Sequence, residues 1–290
     1  INPGVTGISL GNNTAEGGVE AHSCSNTGFD ISGASNVTLV NASVGTNGAN
    51  NIGITISGAG NGIFIGGNTV GDRVISSGNT QNGLRIISGN NITIRGSYFG
   101  VDKNGNTQAN GWAGIQIDNG AATNVVIGGS TAGDRNVISG NGQAGVQVNA
   151  DGTVIKGNYI GTDPTGLLAR ANLGGGVRLE SSNNTVGGNT SAERNVISGN
   201  SQEGIRIDGN IRPANGNMIL NDYIGQNANG TASLANANNG VQISGGAISN
   251  TFIGGDGMGN VISGNGQDGI NLFNNVTGTN IQGNIIGLSP

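Results

Sequence analysis

The hexapeptide Asn-Val-Ile-Ser-Gly-Asn starts at residues 136, 195 and 260, and the related Arg-Val-Ile-Ser-Ser-Gly-Asn runs from Arg73 to Asn79. A second signature, glycine followed by apolar-polar-apolar, starts at Gly53, Gly83, Gly114, Gly145, Gly176, Gly204, Gly240 and Gly269, 28 to 36 residues apart. A self-similar unit of that length is too short to enclose a core of its own. It buries its apolar face only by stacking on its neighbours.

Two kinds of unit alternate. One carries an Ile-Gly-Gly or Val-Gly-Gly turn and then the hexapeptide. The other reads like Thr153-Val154-Ile155-Lys156-Gly157-Asn158-Tyr159-Ile160-Gly161 and opens into a polar loop, a pattern that returns at 93–100, 218–225 and 280–287. Within a unit, runs such as Val146-Gln147-Val148 put apolar residues at i and i+2 on one side and the polar residue on the other. Glycine, asparagine and serine punctuate these runs and supply the positive φ values that sharp bends require. No segment carries a 3.6-residue apolar stripe between caps, so helix content is expected to be close to nil.

The expectation is an all-β, right-handed parallel β-helix solenoid of about ten coils, with three short strands per coil. It forms one domain over 1–290: shorter, less regular coils over 1–52, then regular alternating coils over 53–290 that continue or assemble beyond residue 290. A β-sandwich is the competing fold, but it has no reason to repeat one hexapeptide in phase. The asparagines closing each hexapeptide, Asn141, Asn200 and Asn265, suggest a column of side-chain amides bonded from coil to coil.

Composition excludes several classes of function. Of 290 residues, 59 are glycine and 47 asparagine, with only 9% charged, yet the apolar runs recur throughout, which argues for a folded array and against disorder. No run approaches the roughly 18 apolar residues of a membrane helix, so no membrane span is expected. The net charge of -5, with 11 dispersed Lys and Arg, argues against nucleic acid as a partner. A single cysteine, Cys24, rules out an internal disulfide framework and reads as a small buried hydrophobe.

The units Gly-Val-x-Ile, Asn-Thr-x-Ile-Gly-Gly, Arg-Asn-Val-Ile-Ser-Gly-Asn and Gly-Asn-Tyr-Ile-Gly-Thr-Asp resemble the β-helix repeats of the pectin-lyase-like superfamily over 7–287. The likeness is greatest to repeat arrays of large secreted or surface-anchored bacterial proteins. It implies the fold and a secreted or cell-surface location, but not one activity, because that superfamily contains lyases, glycosidases, tailspikes, adhesins and structural arrays. The polygalacturonase-like motif set finds no match: there is no Asp-Asp pair, and the one histidine, His22, sits in Ala-His-Ser.

The candidate site is the outward column of the strand opening each coil: Thr55, Arg85, Gln116, Gln147, Arg178, Arg206, Gln242 and Asn271. Its next outward positions hold Asp118, Glu180 and Asp208 among others. Arg178, Glu180, Arg206 and Asp208 form a two-by-two patch. Carboxylates one coil step apart suit a retaining glycosidase, and Asp118 with Glu180, two steps apart, suits an inverting one. The alternative is a cross-strand ion-pair network. The pairs Asp72-Arg73, Asp134-Arg135 and Glu193-Arg194 recur in phase and are expected to bond acidic residues of intervening coils such as Asp102 and Asp163.

Tyr98, Tyr159 and Tyr223 recur at one position of alternate coils and, with Trp112, are candidate sugar-binding aromatics; ordinary packing against the next loop is the alternative. No cofactor is expected. Calcium is the alternative at 102–106 and 254–259, against which Thr107 and Ala113 stand at the glycine and glutamate positions of an EF-hand loop and Gly259 at the aspartate of a calcium nonapeptide. The sequence thus favours a non-enzymatic structural, adhesive or self-assembling segment whose partner is another coil stack end to end. A polysaccharide-active enzyme or carbohydrate-binding module is the second reading.

Overall fold

In the computed structural model, residues 6–11, 18–58, 60–119, 121–246 and 248–287 are described. The chain winds into three long parallel sheets of nine, ten and ten strands. The first sheet begins with Thr27–Ser32 and Ile52–Ser57 and ends with Val241–Ser244 and Ile270–Phe273. The second runs from Thr6–Leu10 to Asn280–Gln282, and the third from Val19–Ala21 to Ile285–Ile286. This is a parallel β-helix of about nine turns, fitting right-handed winding.

Among the described residues two sheets have ten strands and the first has nine, beginning at Thr27, while Thr6–Leu10 belongs to the second sheet and pairs Ile8 with Val37 and Leu10 with Leu39. Among the described residues there is no α-helix, only three one-turn 3-10 segments, Val70–Asp72, Ala132–Asp134 and Ser191–Glu193.

Strand register places like over like: Leu84, Ile115, Val146, Val177, Ile205 and Val241 form one unbroken column. All six are buried and belong to one continuous aliphatic core. At roughly 4.8 Å per strand step, nine turns make a rod about 43 Å long. The Gly-Gly of each Ile-Gly-Gly turn has a steric cause. Gly128 lies at φ 94°, and a Cβ on Gly129 would stand 2.6 Å from the Asp134 side chain that folds back over it.

The amide column is present and longer than the hexapeptide suggests. It runs Asn50, Asn79, Asn110, Asn141, Asn172, Asn200, Asn236 and Asn265, each Nδ2 donating to the next Oδ1 at 2.8 to 3.1 Å. The members from alternate coils, Asn110, Asn172 and Asn236, come from Ala-Asn pairs at the ends of the polar loops. That recurring Ala-Asn was the readable signal.

Candidate functional site

The outward row of the first sheet has the expected order, Thr55 through Arg85, Gln116, Gln147, Arg178, Arg206 and Gln242 to Asn271. Its carboxylates are brought together with these side chains and bonded to them. Arg85 donates from Nε to Asp118 Oδ2 at 2.8 Å, with Nη2 2.7 Å from the same oxygen, while Gln116 donates to Asp118 Oδ1 at 2.7 Å. Gln147 donates to Glu180 Oε2 at 2.9 Å. Arg178 Nη2 lies 2.6 Å from Glu180 Oε1 and 3.2 Å from Asp208 Oδ2, and Arg206 Nη2 reaches that second oxygen at 2.8 Å. Arg212, carried on the segment after the Asp208 strand, donates to the Asn149 carbonyl two turns back.

This is the ion-pair network. The side chains of Glu180 and Asp208 are 4% and 3% exposed, whereas Arg85, Arg178 and Arg206 remain 31 to 35% exposed. Solvent therefore meets guanidinium edges with the carboxylates tucked beneath. A general acid or base needs a carboxyl within reach of a substrate proton; here Asp118 and Asp208 each accept from two or more protein donors, while Glu180 accepts from Gln147 and keeps its buried Oε1 without a hydrogen-bond donor, against the Arg178 guanidinium.

The second constellation differs from expectation. Arg73, Arg135 and Arg194 do not bond Asp102 or Asp163. They lie over the Tyr98, Tyr159 and Tyr223 rings, with guanidinium carbons 3.9, 4.2 and 4.1 Å from the ring centres. Asp102 and Asp163 instead organise their own loops. Asp102 accepts from the Asn104 and Asn106 N–H groups, and Asp163 from the Thr165 hydroxyl and the Leu167 and Leu168 N–H groups. Burial alone pushes the Asp163 carboxyl up, but these donors outweigh it and hold the group below the usual carboxylate range. Asp72 and Asp134 accept from Thr69 and Thr131 at 2.7 Å and tie down the 3-10 turns, and Glu193 takes Lys156 at 2.7 Å.

The surroundings of the tyrosines follow the packing alternative. Tyr98 and Tyr159 are buried in a small second cluster with Val101, Val137 and Val196, against which Tyr223 packs. The loops fold down over them: a Cβ on Gly166 would stand 2.8 Å from the Tyr159 ring, and one on Gly230 2.9 Å from the Tyr223 hydroxyl. Trp112 alone of the four stays exposed. Its backbone N–H bonds the Gln81 carbonyl and its backbone carbonyl accepts from the Gln143 N–H, which ties its loop to the turns on either side.

One feature escaped the sequence reading. A groove of about 450 Å³ lies on the second sheet, between the 3-10 turn at Ser191–Glu193 and Met258, walled by Met218, Leu220 and Phe252. Its signal was the outward run Val154, Thr185, Met218, Phe252, where Met218 and Phe252 are exposed. No group of three or more metal-ligating side chains forms among the described residues.

No protein-family profile and no curated protein matches the sequence. Solved structures do. The A-module of the mannuronan C-5 epimerase AlgE6 of Azotobacter vinelandii is 15% identical, with 100% of this chain and 78% of that one covered at a TM-score of 0.49. The AlgE4 A-module of the same organism is 16% identical, over 97% and 75%, at 0.40. The Dettilon tailspike protein is 14% identical, over 93% and 60%, at 0.42.

Proposed function

We propose that this chain is a non-enzymatic structural or adhesive β-helical rod of a secreted or cell-surface protein, extended by stacking coil on coil. The observation that carries this reading is the state of the three candidate carboxylates. Asp118, Glu180 and Asp208 are each held by an arginine and by a further donor, Gln116, Gln147 and the Asn210 N–H respectively. Carboxyls buried beneath guanidinium groups and paired with them order a surface and are withdrawn from a substrate proton.

The second reading, a polysaccharide-binding face, is favoured by one observation: the row of guanidinium edges left in solvent at Arg85, Arg178 and Arg206. Incubation with acidic and neutral polysaccharides, assayed for released reducing or unsaturated ends, is expected to show no turnover. Turnover abolished by Glu180→Gln or Asp208→Asn overturns the non-enzymatic reading. Retention on an acidic polysaccharide column that is lost with Arg178→Gln and Arg206→Gln together establishes the binding face instead.

A further inference from the structure

A second buried ladder lines another corner of the rod: Ser97, Asn136, Asn158, Asn195, Asp222, Asn260 and Asn284. One of its seven positions is a carboxylic acid. In every amide rung but the last, the next residue's Oδ1 accepts from the backbone N–H, as Asn136 and Asn158 donate to Asn158 and Asn195. The same oxygen accepts from the side-chain Nδ2, at 2.9 Å for Asn136, 3.0 Å for Asn158 and 2.8 Å for Asn260. Each Nδ2 uses its other hydrogen on a strand carbonyl of the preceding turn: Ile94, Ile127, Ile155 and Ile219 for Asn136, Asn158, Asn195 and Asn260.

Asp222 obeys half of this pattern. Its Oδ1 accepts from Asn195 N–H at 2.7 Å and Asn195 Nδ2 at 3.0 Å, and its own N–H donates to Asn260 Oδ1 at 2.8 Å. Its Oδ2 stands where every neighbouring rung has an NH2 group, and it is buried without a partner. By the register of the ladder, the groups facing that oxygen are the Asn260 Oδ1 and the Val186 carbonyl, both acceptors. An anionic oxygen against two lone-pair-bearing oxygens in a dry corner is repelled by both; an O–H satisfies one of them.

We propose that Asp222 is a neutral carboxylic acid in the folded rod, donating a proton from Oδ2 to Asn260 Oδ1, and that its ionisation loosens the stack between these two turns. The residue is 0% exposed, and burial pushes its carboxyl up to about 8 against the opposing pull of its hydrogen bonds from Asn195 and of Arg194. Arg194 is the charged group that acts on it; that guanidinium is held over Tyr223 and on the Asn221 carbonyl and side-chain oxygens. The remaining ladder neighbours are amides, and the strands behind them present Ile155, Val186, Ile219 and Ile253 to the core.

An unfolded aspartate loses its proton near pH 3.9. Between about pH 4 and pH 8 the folded rod therefore holds a proton that the unfolded chain has released, and stability falls as pH rises through that window. It is unaffected by this group below the window and constant above it. At the turn that carries Asp222, cohesion therefore weakens as pH rises toward 8.

The test compares wild type with Asp222→Asn, which restores the amide rung and removes the titration. Urea unfolding from pH 5 to pH 9 is expected to show the ratio of unfolding constants, wild type over variant, rising about tenfold per pH unit up to pH 7 and levelling above pH 8. Infrared spectra of wild type at pH 7 are expected to contain a protonated carboxylic acid carbonyl band that the variant lacks. A ratio that stays constant across this range overturns the proposal. If the variant does not fold, the wild-type band, titrated with pH, decides alone: its absence at pH 7 overturns the proposal.

Discussion

Two polar arrays run the length of this rod and obey different rules. The asparagine column from Asn50 to Asn265 is buried and regular, with the same residue in eight successive turns. The outward row of the first sheet is half-exposed and irregular, changing from Thr55 to Arg85 to Gln116 and onward. The cause is chemical. A primary amide is both donor and acceptor and neutral, so it stacks on copies of itself without limit. Arginines stacked on each other repel, so Arg178 and Arg206, adjacent in the row, need the Glu180 and Asp208 carboxylates beside them. The self-complementary array fixes the repeat, and the other leaves the surface free to vary.

That contrast is sharpened by substitutions ordered by expected effect. Asn141→Leu breaks the column at a fully buried rung, leaving Asn110 Nδ2 without its acceptor and the Phe99 carbonyl with the Ser139 N–H as its remaining donor. It is expected to cost about 3 kcal/mol in urea unfolding. Arg178→Met leaves Glu180 and Asp208 buried with one guanidinium fewer and is expected to cost about 2 kcal/mol. An effect on Arg178→Met as large as that on Asn141→Leu would mean that the outer row, too, is needed for the fold. Arg135→Met removes the cation over the Tyr159 ring and is expected to lower stability by about 1 kcal/mol.

Lys156→Met is expected to have the smallest effect, about 0.5 kcal/mol. The hydrogen bond from Lys156 is the main reason the Glu193 carboxyl lies below its ordinary value, with burial opposing. A depressed carboxyl stabilises the fold above its unfolded pKa and loses that contribution as pH falls through the folded one. The difference between wild type and Lys156→Met should thus vanish in acid. A difference that persists there would show that the lysine acts by packing alone.

Much of this was legible beforehand because the strands obey period 2 and the turns recur in phase. The column from Arg85 to Asn271 follows from counting forward from each repeated glycine. The tyrosines were not legible in the same way. Tyr98 and Tyr159 sit at an outward position, and alternation alone leaves them in solvent; what buries them is the descent of the loops and the arginine laid over each ring. The partners of Arg73, Arg135 and Arg194 were misassigned for the same reason. Opposite charge suggested Asp102 and Asp163, but both carboxyls face inward to loop N–H groups, which lie only a few residues away in sequence.

The sequence by itself determined that the chain winds, how often it turns and which side chains face inward, because a stack of near-identical units admits one register that keeps every aliphatic residue out of water. Only the tertiary structure decided the ionic and proton-bearing chemistry: which carboxylates are tied to arginines, which aromatics are covered, and that Asp222 occupies an amide's place. These depend on distances between residues some 30 positions apart and on what shields them from solvent, quantities that exist only once one turn lies on the next.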